Sequence, residues 1–461
     1  MNRVQPFRGW RYDLQKAGAA SLNELVTPPY DVINDQQQAA FYARNPHNVI
    51  RIDLARDLPG DDDRANRYKR AAATLASWQT SGILRQEPES AIYLLRERYP
   101  TADGGQAART GVIFRLRLAP WGEGILPHER TFPGAKADRL ALTIATASQC
   151  SPIFLLYSDP SGDAQRPLLA AAERPADVSF LDDDGVEHAL WVLTAPDLLA
   201  SAAAALEAKT FYLADGHHRY ETALNYQRYR RGGLLPDTAA PAPLSSWQAV
   251  PHFAAYPAPG PSEPQPYDFA WVYAACMEDP GVLILPTHRC IHDVADFDAD
   301  RLLVQLEQRF EITPVAGDDV LLNGLRSAAP QEHLFALVLP GYASGVLLRL
   351  RDDSAATALL HAADHPAVAG VDVAVLQTLV LGPLLGISRE PGELKRHVSF
   401  TPNAGQAIGD ARAGRCQAAF LVNPTRLEQL AEASQEGQVM PPKATYFYPK
   451  LPAGLVINCI E

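Results

Sequence analysis

The sequence predicts an α/β or α+β protein in two lobes, and three observations carry that reading. Short apolar runs of strand length alternate with helix-length segments along most of the chain. One proline-rich stretch interrupts this pattern near the middle. The 461 residues are 47% apolar and 20% charged, the make-up of an ordinary soluble globular chain with room for two or three self-sufficient cores.

In chain order, strands are expected at residues 49–54, 91–99, 111–118, 153–157, 189–194 and 211–214. The clearest helix spans 62–80, where Tyr68, Ala72, Leu75 and Trp78 recur at helical spacing and Gly82 follows as a stop signal. A second helix, rich in Ala and Leu, covers 196–208. Between Gly232 and Pro266 nine prolines and few periodic apolar residues indicate an extended insertion. Beyond it, runs at 270–277 and 281–285 joined by Glu278-Asp279-Pro280 predict a hairpin. A helix at 297–310, strands at 333–339 and 345–350, a helix at 371–381 and a strand at 418–422 complete the reading. The division is therefore a first lobe at 1–235, a linker or long loop at 236–266, and a second α/β lobe at 267–461.

Charge and cysteine usage narrow the function classes. A net charge of -12 disfavours nucleic acid as a partner, because a phosphate backbone is repelled by an acidic surface. The first 150 residues nevertheless hold 20 Lys and Arg against 16 Asp and Glu, so an anion site belongs in the first half. The five cysteines are far apart and form no CxxC pair, which fits free thiols in a reducing compartment, the cytoplasm. No apolar run has the roughly 20 residues of a membrane helix, and the N-terminus lacks a signal-peptide core.

Two segments concentrate polar chemistry. In Phe211-Tyr212-Leu213-Ala214-Asp215-Gly216-His217-His218-Arg219 an apolar strand meets a glycine turn and the start of a helix. That arrangement aims backbone amides and the positive end of a helix dipole at one spot, which suits a phosphate. Gly216 permits close approach, Arg219 offers a forked donor, and His217 or His218 can donate or accept. The plainer alternative is that Asp215 caps the helix and the histidines are surface residues. The second segment, residues 127–140, carries His128, Glu129, Arg130, Lys136, Asp138 and Arg139 beside two prolines and a glycine. Glu129 and Asp138 suit a base or metal ligand, and Lys136 and Arg139 suit phosphate oxygens. Tyr30 and Asp31 after Pro28-Pro29, and Asn45 and His47 about Pro46, project from rigid turns. The chain has no GxxxxGK[ST], GxGxxG after a strand, HExxH or GxSxG signature.

Together the segments at 27–33, 45–54, 127–140, 151–157, 214–224, 285–289 and 440–458 resemble the DUF1015 family, whose biochemical role is unknown, over nearly the whole chain. The AspGlyHisHisArg box is also similar to the phosphate-holding box of the ParB and sulfiredoxin superfamily, which includes free serine kinases, CTP-dependent DNA-binding switches and sulfiredoxins. Sulfiredoxin chemistry needs a cysteine in the box, and position 217 is His. A ParB-like clamp needs a basic face, and the C-terminal half is acidic. The resemblance implies a ParB/sulfiredoxin-like first lobe that binds ATP or ADP with Mg²⁺. It also implies phosphorylation of a small hydroxyl metabolite, free serine first among candidates. Asp215, Glu129 and His128 are then the catalytic candidates, with Asp215 also the metal ligand. Gly216, His217, His218, Arg219, Lys136 and Arg139 would hold the nucleotide. The alternative is a non-catalytic nucleotide-binding regulator or scaffold, and a homo-oligomer stays open.

Overall fold

The computed structural model describes residues 3–101, 104–130, 133–232, 263–352 and 354–461. Residues 233–262, most of the proline-rich stretch, and Thr131 and Phe132 of the second polar segment lie outside these. The fold is mixed α/β and divides into two compact units. The first takes in the described residues up to 283 together with 449–461, and the second comprises 284–448. The boundary thus falls later than the expected 236–266 linker, and the C-terminal residues belong to the first unit.

The first unit is built on a nine-stranded sheet. Its strands are β1 (Val4–Gln5), β2 (Ile92–Pro100), β3 (Gln106–Arg117), β4 (Ile125–Leu126), β5 (Ile153–Tyr157), β6 (Val178–Leu181), β7 (Glu187–Leu193), β8 (Phe211–Asp215) and β9 (Phe269–Cys276). They lie in the order β4-β8-β5-β9-β3-β2-β7-β6, with β1 paired to β3. β9 is inserted between β3, antiparallel from Phe269↔Arg117 to Ala275↔Gly111, and β5, parallel from Val272↔Ile153 to Cys276↔Tyr157. Every residue of β9 is buried, which explains its unbroken apolar reading.

This insertion corrects the expected hairpin. Both edges of β9 are occupied, so residues 281–285 have no edge there to join. The intended turn residues are held elsewhere: the Glu278 carboxylate accepts from the Asp159 amide at 2.9 Å, and Asp279 accepts from the Thr110 amide at 3.0 Å. The expected strand at 49–54 is also corrected, since Ile50–Asp53 forms one helical turn. Asn48 sets it by accepting from the Ile50 amide at 2.9 Å while donating to the Glu24 carbonyl.

Among the helices of this unit are α1 (Arg67–Ser81), α2 (Pro133–Thr146), α3 (Pro196–Glu207) and α4 (His217–Arg230). α1 ends where the sequence placed its stop, with Gly82 left-handed at φ 76°. α4 is polar in composition yet buried from Tyr220 to Arg228, so its polar groups need partners inside the protein. Glu221 meets Lys136 at 2.8 Å and Gln227 donates to Asp268 at 2.9 Å. Residues 458–459 pair with 148–149, fastening the C-terminal segment to this unit.

The second unit carries a six-stranded antiparallel sheet of β10 (His288–Ile291), β11 (Phe310–Val315), β12 (Leu334–Val338), β13 (Gly345–Leu350), β14 (Val398–Thr401) and β15 (Ala418–Leu421), ordered β11-β13-β12-β15-β10-β14. The expected helix at 297–310 is shorter, Ala299–Leu306, because Phe310 opens β11. All five cysteines are free, and Cys459 alone is not fully buried. Among the described residues no helix is long and apolar enough to cross a membrane.

Candidate functional site

The turn between β8 and α4 organises the site. Gly216 occupies the N-cap position with φ 97° and ψ 31°, a left-handed conformation that a side chain resists. A Cβ there would also stand 3.0 Å from Arg219 Nε. No side chain caps this helix, so its first amides lack the usual hydroxyl or carboxylate acceptor. Asp215 does not play the capping role. Its Oδ2 instead accepts from Lys450 Nζ at 3.2 Å and lies 3.4 Å from Arg219 Nη2. Arg219 also donates through Nη1 to the Pro152 carbonyl, which fixes the guanidinium beside the turn. Two cations and a helix N-terminus therefore converge within one turn of Gly216.

The second polar segment meets this loop through its backbone. The amides of His128 and Glu129 both donate to His217 Nε2, each at 3.3 Å, and the two imidazoles meet edge to face with centroids 4.8 Å apart. With Nε2 accepting, the neutral His217 ring carries its proton on Nδ1. Burial pushes the His217 pKa well down, and the neighbouring His128 pushes it further. Burial likewise lowers His128 to about 4, against the opposing pull of a Leu213 backbone hydrogen bond and Asp215. Both rings are neutral clasps between the two loops near neutral pH. The His217 imidazole is thus engaged inside the protein, and what it offers the turn is its backbone amide.

The remaining sequence candidates are placed as follows. Lys136 is buried against Glu221 of α4, so the ion pair ties α2 to α4. Asp138 accepts from Arg67 Nη2 at 2.5 Å, Tyr68 Oη at 2.9 Å and Arg139 Nε at 2.8 Å. Burial alone would raise the Asp138 carboxyl, but Arg139, then Tyr68 and Arg67, outweigh it and hold it below the ordinary value. Arg139 donates to the Asp53 carbonyl at 2.7 Å and stacks over Tyr30 at 4.0 Å. His218 is half-buried at the start of α4, and Glu129 is half-buried on its loop.

Three participants escaped the sequence reading. Lys450 arrives from 235 positions away, and only the contact itself reveals it. Asp53 falls within the expected strand at 49–54, and Ser151, whose Oγ donates to Asp53 Oδ2 at 3.0 Å, carried no role in the sequence reading. Among the described residues no group of three or more His, Cys, Asp or Glu could by itself hold a metal ion.

The site is that of an α/β protein in which a strand, a glycine turn and a helix start stand beside two cations. The chain belongs to the family described as Protein of unknown function (DUF1015), whose model matches residues 4–374. No curated protein matches it. Among solved structures, it is similar to a conserved hypothetical protein from Pyrococcus furiosus at 12% identity and TM-score 0.32, covering 74% of this chain and 93% of that one. A point variant of a free serine kinase in complex with AMP has 11% identity and TM-score 0.33, with 76% and 89% covered. SbnI from Staphylococcus aureus, truncated at its C-terminus, has 10% identity and TM-score 0.31, with 74% and 87% covered. At such TM-scores these likenesses carry no argument about activity.

Proposed function

We propose that the chain binds a nucleotide such as ATP or ADP at the Gly216 turn and transfers a phosphoryl group to a small hydroxyl metabolite, serine being the first to try. One observation carries the reading: Arg219 and Lys450 converge on Asp215 at a helix N-terminus that no side chain caps. Phosphoryl transfer asks a protein mainly for positioned positive charge and a carboxylate near the acceptor. The amides of Gly216 and His217, with Arg219 and Lys450, would hold phosphate oxygens. Asp215 or Glu129 would accept the proton of the attacking hydroxyl.

Mg²⁺ fits only as an ion carried on the nucleotide, since such ions need one or two carboxylates besides phosphate and water, and Asp215 is the carboxylate at hand. When bound it would neutralise charge on the phosphates.

The test is calorimetry with ATP, ADP and CTP, followed by a search for phosphorylated product from serine and other hydroxyl metabolites with Mg²⁺ present. Asp215→Asn and Glu129→Gln should each be tried, the base being the one whose loss costs about 10² to 10⁴-fold in rate with the fold intact. Tight nucleotide binding without product replaces this reading with that of a regulator. Absence of nucleotide binding overturns both.

A further inference from the structure

Next to the anion turn lies a cavity of about 50 Å³ whose lining includes Asp53, Arg139, Ser151, Arg219, Thr222 and Trp271. Three lining residues each carry a buried polar atom with no hydrogen-bond partner in the protein: Trp271 Nε1, in a residue 1% exposed, Thr222 Oγ1, in a residue 4% exposed, and Ser148 Oγ, in a residue 5% exposed. Native interiors rarely leave such groups unsatisfied, so each calls for something in the cavity. An indole N–H can only donate, so whatever meets Trp271 brings an acceptor oxygen. Arg219 adds a cationic donor on the same lining, and Arg139 is shared between Asp138 at 2.6 Å and Asp53 at 3.4 Å. Asp53 is the opposing group, buried and accepting only one short side-chain hydrogen bond, from Ser151, with Arg139 Nη1 at 3.4 Å from its other oxygen.

Size and charge then choose the ligand class. A water needs about 10 to 15 Å³ of such space, so the cavity admits roughly three to five water-sized groups, too few for a nucleotide. An anion alone would set unpaired negative charge against Asp53, and a cation alone would leave Trp271 Nε1–H unanswered. We infer that the cavity binds a small zwitterion, an α-amino acid about the size of serine, with its carboxylate toward Trp271 and Arg219 and its ammonium toward Asp53. The inference rests on the preceding reading only for the ligand's fate as phosphoryl acceptor. Arg219 belongs to both sites, lining the cavity and facing Asp215 at 3.4 Å.

The experiment measures binding to the full chain without nucleotide, by thermal shift and calorimetry, using glycine, alanine, serine, glycerate and ethanolamine. Serine or another small amino acid should raise Tm, whereas glycerate and ethanolamine, each lacking one charge of the zwitterion, should not. Asp53→Asn should weaken amino-acid binding about 10 to 100-fold, the range of a charged hydrogen bond. Because Asp53 also holds Ser151, Thr222→Val serves as a near-isosteric second variant, expected to lose about 3 to 10-fold with unchanged Tm in the absence of ligand. The inference is overturned if no small amino acid binds, leaving the cavity to water, or if binding survives both substitutions undiminished. Amino-acid binding without phosphoryl transfer would keep this site and discard the kinase reading. Phosphorylation of serine undisturbed by either substitution would do the reverse.

Discussion

Acid should unfold the first unit through His128 and His217 before its carboxylates begin to protonate in number. A buried imidazole whose folded pKa is depressed stabilises fully above the unfolded value near 6.5, and that stability is lost as pH falls toward the folded value. For His128 the window runs from about 6.5 down to about 4. Each pH unit within it costs about 1.4 kcal/mol, so His128 alone gives up about 3 kcal/mol across the window. His217, held well below the ordinary value by burial and by the neighbouring His128, loses stability in the same direction as pH falls. At pH 4.5 His128 alone has given up about 2.5 kcal/mol, a sixth or more of the whole stability of an ordinary domain. Urea melts followed by circular dichroism from pH 7.5 to 4.5 measure the slope directly. His288 of the second unit, lowered by burial to about 4, titrates in the same range, so the contribution of the clasp is read as a difference. His217→Gln keeps an acceptor for the His128 and Glu129 amides but cannot protonate, and it should remove about one proton's worth of slope between pH 6.5 and 5. Parallel curves for the two proteins would refute the assignment of these rings as buried neutral groups.

Three further outcomes follow from the same geometry. Lys136→Met removes the lysine paired with the buried Glu221 and should cost about 3 to 5 kcal/mol in chemical denaturation, most of it recovered when Glu221→Leu is added. Gly216→Ala forces a side chain into the left-handed region against Arg219 and should lose about 1 to 3 kcal/mol, seen as a lower urea midpoint together with weaker nucleotide binding. Arg219→Ala should weaken nucleotide binding by about 1.5 to 3 kcal/mol in calorimetry with the circular dichroism spectrum unchanged; equal affinity would remove the guanidinium from the phosphate site.

The central strands were legible because β5 and β9 are buried along their whole length, which forces continuous apolar runs. The segment at 49–54 misled for a physical reason: four alternating residues suit a strand and a helical turn equally, and the choice was made by Asn48 binding Ile50 and Glu24. The hairpin failed because pairing partners are settled by the sheet, here by β3 and β5 closing on β9 from both sides. At the site, the glycine turn could be read from five consecutive residues, since its chemistry is local. Lys450 and the Asp53 cavity could not, because each depends on contacts across about 100 residues or more. His217 was recognisable as important, yet its burial, and hence its role as an acceptor for two amides, lies in tertiary packing.

The return of residues 449–461 to the first unit bears on how the chain is made. A ribosome releases residues 1–283 first, then all of 284–448, and only afterwards the segment that brings Lys450 to Asp215 and lays Asn458–Cys459 along Ser148–Gln149. Throughout that interval the nascent first unit lacks its last strand partner, and Asp215 lacks one of its two cations. The described residues of the second unit are contiguous and can close on themselves in the meantime. Completion of the Gly216 turn is therefore timed by translation: a chain released only as far as residue 448 has all of 284–448 and still lacks the lysine that meets Asp215.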